Sequence, residues 1–154
     1  MVETTLSGAS HHILTNDYAS EWMGIEVLKL DDGHATIRMH LRQEMLNGFG
    51  MAHGGMIFAF GDTAFALACN PANPTPKQAA NITVASGVDI NFIKPAFQGQ
   101  VITAVANRRA STGRSGLYDI QIYAASPDAP SATDTQPGEL IAEFRGRSRT
   151  ISKK

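Results

Sequence analysis

The chain has 154 residues, a formal net charge of −1 at pH 7 and 43% hydrophobic residues. This length predicts a single domain that buries a sizeable core. The balanced charge, without a long basic run, argues against a nucleic-acid partner. The one cysteine, Cys69, excludes an intrachain disulfide and favours a reducing cytoplasm.

The N-terminal region is polar and lacks both an apolar core segment and a basic leader, so no secretory signal is predicted. Residues 1–15 are expected to form a polar tail. The apolar run 56–69 is shorter than the roughly 20 residues that cross a bilayer. We therefore expect a cytoplasmic protein without a membrane partner.

Residues 35–42 alternate apolar and polar side chains, which predicts a strand with one buried face. Residues 54–69 are instead apolar nearly all round and predict a buried helix. Gly61 and several alanines would let this helix approach its neighbours closely. Asn70-Pro71 supplies a stop signal after it.

Four later segments are predicted strands: 82–92, 101–109, 118–123 and 140–147. In the first of them the predicted apolar face comprises Ile82, Val84, Val88, Ile90 and Phe92. The proline-containing segments 70–76 and 126–138 are predicted surface loops. Antiparallel strands with one buried helix indicate an α+β domain in which the sheet wraps the helix.

Asp62 is the only charged residue between Met56 and Cys69. Burying a carboxylate costs free energy unless it is paired, hydrogen-bonded or used in chemistry. The motif 53–55 (HGG) lies about two helical turns upstream, where free backbone N–H groups attract negative charge. A carboxylate and an anion site on one helix suggest acyl-transfer chemistry. The alternative is a structural Asp62, with glycines that serve only helix packing.

Five short motifs follow one another along the chain: 46–48 (LNG), 53–55 (HGG), 62–66 (DTAFA), 116–120 (GLYDI) and 144–148 (FRGRS). In this order they resemble the hotdog acyl-CoA thioesterases of the phenylacetate-degradation type. The resemblance implies an antiparallel sheet wrapped around a long central helix. It also implies cofactor-independent hydrolysis of acyl-CoA thioesters, with aromatic acyl groups such as phenylacetyl or hydroxyphenylacetyl.

The resemblance also implies roles for particular residues. The family's catalytic carboxylate corresponds to Asp62, acting as nucleophile or general base. Its oxyanion-hole glycine corresponds to Gly54 through the backbone amide, and its motif asparagine to Asn47. Asn47 could instead hold a turn with the following glycine. His53 is either a catalytic participant or a structural residue.

Substrate contacts are expected from residues near these groups. The candidates are Gly55, Thr63, Ser86, Arg114 and Gly116. Ser86 is the nearest match to the Ser or Thr that orients the attacking water in related enzymes. The loop that carries Arg114 and Gly116 offers backbone donors beside a cation, which suits the phosphates of CoA.

Three further arginines, Arg145, Arg147 and Arg149, alternate along one predicted strand and so share a face. They could bind the CoA phosphates. They could equally form a solvated face that pairs with Glu143.

Gly54 and Asp62 are eight residues apart, which is about 12 Å along a helix. This separation is too large for both to act on one carbonyl, so a complete site needs two chains. The family places its active site between subunits. We therefore expect a homo-oligomer, a dimer at least and a tetramer by family tendency.

Two other classes of function stay open at this point. One is a non-catalytic acyl-CoA-binding module, and the other is a hotdog hydratase or dehydratase. Hydratases of this fold carry an Asp five residues before a His, whereas position 48, five before His53, is glycine. The five histidines are scattered, so no metal site is predicted.

Overall fold

The computed structural model describes residues 7–128 and 137–153. The predicted loop 126–138 therefore lies mostly outside the described residues, as does the start of the predicted tail. The strands are β1 (Ser7–Gly8), β2 (Glu26–Asp31), β3 (His34–His40), β4 (Asn81–Phe92), β5 (Val101–Thr112), β6 (Ser115–Ala125) and β7 (Glu139–Ser152).

The described strands form one sheet in the order β1-β2-β3-β5-β6-β7-β4. The two-residue β1 pairs in parallel with β2, and all the other pairs are antiparallel. The long strand β4 lies at one edge, paired only with β7 within the described part of the chain. The predicted strands are thus confirmed, and β2 is an additional strand that the alternation did not reveal.

In the part of the chain that the structure describes, the sheet is accompanied by the α-helices α1 (Tyr18–Met23), α2 (Gly54–Cys69) and the short α3 (Pro76–Ala79). Helix α2 has the predicted bounds and packs across one face of the sheet, against β3, β4, β5, β6 and β7. None of the helices in residues 7–128 and 137–153 is long and apolar enough to span a membrane.

Gly61 accounts for the close packing of α2 on the sheet. A Cβ atom at this position would lie 2.9 Å from the Phe144 ring and 3.1 Å from Ile122. Both of these side chains are fully buried. Because interiors are packed to crystal-like density, a larger residue here would push the helix away from the sheet. The predicted role of Gly61 is confirmed.

Helix α2 is not buried all round, and this expectation was wrong. Phe60, Gly61, Ala64 and Phe65 face the core, whereas Gly55, Phe58 and Asp62 recur along an exposed side. The exposed side is as apolar as the buried one apart from Asp62, so composition alone could not separate them. One chain covers only one side of its central helix.

A β-bulge corrects the predicted face of β4. The register with β7 shifts between Ala85 and Gly87, so Ser86 is the extra residue. Before the bulge, Ile82 and Val84 pair with the exposed residues of β7 rather than with its buried ones. Val88, Ile90 and Phe92 lie on the inner face. The extra residue inverts which side chains face the core.

The predicted polar tail is also corrected where the structure describes it. His11 and Leu14 are buried rather than solvated. The His11 Nε2–H group donates to the Asn70 carbonyl at 2.9 Å, and the His12 amide donates to Ala72 at 3.2 Å. These bonds attach the N-terminal segment to the end of α2 that is opposite to Gly54.

Candidate active site

Asp62 lies on the exposed side of α2, one turn beyond Phe58. It makes no hydrogen bond or ion pair with the described residues, which leaves the alternative of a structural Asp62 without support. Its apolar surroundings, and then the negative charge of Asp17, raise the pKa of this carboxyl above its usual value. A carboxylate that is both accessible and harder to ionise is suited to accept a proton or to attack a carbonyl.

His53 caps the N-terminus of α2. Its Nδ1 atom accepts a hydrogen bond of 3.0 Å from the Gly55 amide, so the neutral ring carries its proton on Nε2. The Met56 and Ile57 amides donate to the His53 carbonyl. These contacts give His53 a structural role, and its catalytic role stays a prediction.

The same capping arrangement leaves the Gly54 amide free. Within the described residues this N–H group has no hydrogen-bond acceptor, whereas the Gly55, Met56 and Ile57 amides that follow are occupied. A free N–H group at the positive end of a helix is a ready site for an anion. The geometry is therefore consistent with Gly54, rather than Gly55, as the oxyanion donor.

Asn47 organises the loop before α2. Its Oδ1 atom accepts from the Phe49 amide at 2.9 Å and from the Met51 amide at 3.2 Å. The backbone of Asn47 adds two hydrogen bonds, to Met51 and Gly50. This is the turn-holding role that the sequence left open, and a direct contact with substrate stays a prediction.

An open groove of about 320 Å³ adjoins Gly54. It is lined mostly by apolar residues, with Met51, Ile57, Phe92 and Ile141 among them. A Cβ atom added at Gly54 would lie 3.4 Å from the ring of Phe92. The free N–H group therefore lies beside a surface that can receive an apolar acyl group.

A second groove of about 350 Å³ brings together two of the predicted substrate residues, Ser86 and Gly116. Ser86 is exposed at the bulge of β4 and donates from Oγ to the Arg147 carbonyl at 3.1 Å. Thr63, by contrast, is buried and hydrogen-bonded to Ser20, so it does not face either groove. The contribution of Thr63 to substrate binding stays a prediction.

The arginines of β7 lie on one exposed face, and the ion pairs that two of them form are not with Glu143, the partner that one of the two alternatives named. Arg145 forms two hydrogen bonds with Asp119, and Arg147 pairs with Asp89 at 3.0 Å. Arg114 and Arg149 form no ion pair within residues 7–128 and 137–153. They lie at neighbouring positions, because Arg149 is opposite Ser115 in the β6–β7 register.

The described residues offer neither a reactive thiolate nor a cluster of metal ligands. Burial raises the pKa of the Cys69 thiol to about 12, so it stays protonated and is a poor nucleophile at neutral pH. No group of three or more His, Cys, Asp or Glu side chains in the described part of the chain could hold a metal ion.

Sequence reasoning missed one feature beside Asp62. Asp17 caps α1 and contacts Ser20, and the Ser20 hydroxyl meets the Thr63 hydroxyl at 2.9 Å. An Asp before a short helical segment that ends at Gly24 is a recognisable capping signal. The helix is only six residues long and lies between the predicted tail and the first predicted strand, so neither pattern covers it.

The chain is similar in sequence to known thioesterases. The family model of the thioesterase superfamily matches residues 49–130. The acyl-coenzyme A thioesterase PaaI of Escherichia coli is 34% identical over 142 residues, 92% of this chain and 89% of that protein.

Solved structures give the same result. The E. coli PaaI protein from the phenylacetic acid degradation operon matches with a TM-score of 0.76 at 34% identity, covering 93% of this chain and 91% of that one. The TT0310 protein of Thermus thermophilus matches with a TM-score of 0.72 at 28% identity, covering 88% and 98%.

The chain belongs to the thioesterase superfamily, and its sheet and long helix are the hotdog fold. The resemblance to the phenylacetate-degradation group, drawn from five short motifs, is thereby confirmed. So is the predicted class of enzyme, a thioesterase, and neither the non-catalytic module nor the hydratase is carried further.

Proposed function

We propose that this protein hydrolyses acyl-CoA thioesters, with arylacetyl groups as the preferred acyl class, to the free acid and CoA. The observation that carries the proposal is that one helix holds both the Gly54 amide and an accessible Asp62, neither of which has a hydrogen-bond partner within the described residues. The E. coli relative is named as an acyl-coenzyme A thioesterase, and its structure is described as from a phenylacetic acid degradation operon.

The chemistry follows from the two groups. The Gly54 amide stabilises the negative charge that develops on the thioester oxygen. Asp62 either takes a proton from the attacking water or attacks the carbonyl carbon itself. The C–S bond then breaks and CoA leaves as a thiolate, which takes up the proton removed from water. In the direct-attack route, water then hydrolyses the anhydride between Asp62 and the acyl group, which releases the free acid and restores the carboxylate. Both routes need an ionised Asp62 close to the carbonyl.

The two groups must come from different chains. Helix α2 is continuous from Gly54 to Cys69, so the eight residues between Gly54 and Asp62 hold them about 12 Å apart. In a two-fold dimer with antiparallel α2 helices, Asp62 of one chain would face Gly54 of the other. Each dimer would then contain two complete sites.

Two surfaces support such a dimer. The exposed side of α2 carries Phe58, which is 38% exposed, and β4 leaves one edge of the sheet unpaired within the described residues. A long unpaired edge is a template for another strand, and an apolar helix side gains free energy when it is covered. Pairing two copies through β4 would cover both. A tetramer made of two such dimers remains our proposal for the full assembly.

The groove at the bulge of β4 is proposed to hold part of CoA. Ser86 and Gly116 line it. Arg114, just before β6, and Arg149, on β7, lie next to it and form no ion pair within the described residues. Guanidinium groups that lack a carboxylate partner are available to phosphates. Arg145 and Arg147 are less suited, because each already pairs with an aspartate.

A substrate panel tests the proposal. Phenylacetyl-, hydroxyphenylacetyl-, benzoyl- and linear acyl-CoA esters are hydrolysed, and release of the free thiol is followed. We expect kcat/KM to be highest for the arylacetyl esters. Higher values for linear esters would contradict the aromatic preference, and no thiol release from any ester would contradict the activity.

A further inference from the structure

Helix α1 contacts α2 through a buried polar pair directly beside Asp62. The Ser20 and Thr63 hydroxyl oxygens are 2.9 Å apart, and both side chains are buried. Thr63 is the neighbour of Asp62 in sequence. A buried hydroxyl pair costs free energy unless both groups are hydrogen-bonded, so it fixes the relative position of the two helices.

Asp17 gives this contact a direction. Its Oδ1 atom accepts from the Ser20 amide at 3.1 Å, and its Oδ2 atom accepts from the Ser20 hydroxyl at 2.7 Å. Because Ser20 gives its only hydroxyl proton to the carboxylate, Thr63 must donate to Ser20. The hydrogen bonds therefore run from Thr63 through Ser20 to Asp17, and the carboxylate is held in one place.

The charge environment of Asp62 is simple. Asp17 is the charged group that acts on it, and raises its pKa in addition to the effect of burial. Cys69, two turns along α2, is a neutral thiol. The strands packed against α2 meet its buried side, and no Lys, Arg or His pairs with Asp62 in the described part of the chain.

We propose that Asp17 is a positioning residue for thioester hydrolysis, which orders the turn of α2 that carries Asp62 and places a fixed negative charge beside it. This inference rests on the proposed role of Asp62. Asp17 fixes the position of Asp62 through its hydrogen bond with Ser20, which in turn contacts Thr63. The negative charge of Asp17 acts on the Asp62 carboxyl through space. Its effect is therefore visible in the pH dependence of the reaction, which a purely structural residue would not change.

Asp17→Asn is the main variant, because asparagine also caps helices well and keeps the shape of the side chain. Its amide can donate to Ser20, which can then donate to Thr63, so the chain of hydrogen bonds can re-form in the reverse direction. Only the charge is lost. We expect the acid limb of the kcat/KM profile, which reports the free enzyme, to move to lower pH.

Salt provides a second measurement on the same variant. Charges in contact with solvent are screened beyond about 10 Å at 0.1 M salt and more closely at higher salt. Raising the salt concentration should move the acid limb of the wild type toward lower pH. The limb of Asp17→Asn should respond much less.

Two control variants separate position from charge. Ser20→Ala breaks the link to Thr63 and keeps the carboxylate, so kcat should fall, by at most about 100-fold, while the acid limb stays in place. Glu21→Gln removes a neighbouring charge on α1 and should leave the limb unchanged. If Asp17→Asn does not fold, Asp17→Ser replaces it as the test variant, because serine also caps helices and carries no charge.

Asp62→Asn distinguishes the possible failures. If it keeps wild-type activity, the proposed function of Asp62 is wrong, and the inference about Asp17 is wrong with it. If it is inactive while Asp17→Asn and wild type have superimposable profiles, only the role of Asp17 is overturned. If Glu21→Gln moves the limb as far as Asp17→Asn does, the effect is one of general charge, and Asp17 has no special position.

Discussion

The two sides of α2 have nearly the same composition and opposite environments. One side, with Phe60, Ala64 and Phe65, is buried against the sheet. The other, with Gly55, Phe58 and Asp62, is exposed in the single chain. Apolar residues on the first side are explained by the fold of one chain. Apolar residues on the second side require something else to cover them, and this is also the side that carries the carboxylate.

The fold and the proposed site differ in the number of chains that each requires. A single chain forms the sheet, the core and the packing of one side of α2. It does not bring Gly54 and Asp62 together, because they belong to one rigid helix about 12 Å apart. The fold thus belongs to one chain and the proposed site belongs to two.

The largest effect is expected at Asp62. Asp62→Asn keeps the size of the side chain and removes the ionisable group, so hydrolysis should slow by about 10²–10⁴-fold while the assembly stays intact. Steady-state kinetics and size-exclusion chromatography measure the two properties. Near-normal turnover by the folded variant would remove the carboxylate from the mechanism.

The buried side is expected to control stability. Phe65→Ala removes a ring that packs against Tyr118 and Phe144, so it should lower the free energy of unfolding by about 3–5 kcal/mol. Phe58→Ala on the exposed side is the matched control. It should destabilise the fold less and weaken the dimer more, as denaturation and analytical ultracentrifugation can measure. Equal losses of stability would mean that the two sides do not differ as described.

The backbone N–H group of Gly54 can be removed by a substitution that this position of the helix tolerates. Gly54 is the first residue of α2, where proline is well tolerated, and His53 before it is extended (φ −64°, ψ 132°), as proline requires. Gly54→Pro lacks the N–H group and should lower kcat by about 10²–10³-fold.

Gly54→Ala is the control, because it adds the same first carbon beside Phe92 and keeps the donor. The difference in kcat between the two variants reports the hydrogen bond alone. If proline and alanine slow the reaction equally, the donor lies elsewhere.

The smallest expected effect is on the pH dependence of the free energy of unfolding. The pKa of Asp62 is raised in the folded protein, so at neutral pH the ionised carboxylate destabilises the folded state relative to the unfolded one. Asp62→Asn should therefore be at least as stable as wild type at pH 7. This advantage should shrink as the pH falls from the raised pKa to the ordinary pKa of an aspartate and vanish below it, because the carboxyl is then neutral in both states. Chemical denaturation at several pH values measures it, and a destabilised variant at pH 7 would contradict this account.

Local patterns in the sequence predicted much of the fold. The bounds of α2 followed from its apolar run and from Asn70, and most strands followed from period-two alternation. The bulge at Ser86 could not be predicted, because one inserted residue changes pairing and leaves the alternation of residue types intact.

The sequence predicted the reactive groups of the candidate site but not the contacts around them. Asp62 and Gly54 were selected by their chemical type and by the resemblance. The position of Asp17 beside Asp62 depends on a tertiary contact between segments that are distant in sequence, the hydrogen bond of Ser20 with Thr63. Similarly, the partners of Arg145 and Arg147 lie on neighbouring strands rather than along their own.

The most direct test of a site shared by two chains is the activity of a mixed dimer. One chain carries Asp62→Asn and the other Gly54→Pro, each with a different affinity tag so that the heterodimer can be purified. If the sites are shared, one site contains both lesions and the other contains neither, so activity per dimer should be about half that of wild type. Both parent homodimers should be nearly inactive. If each chain held its own complete site, every site would carry one lesion, and a heterodimer no more active than its parents would contradict the account.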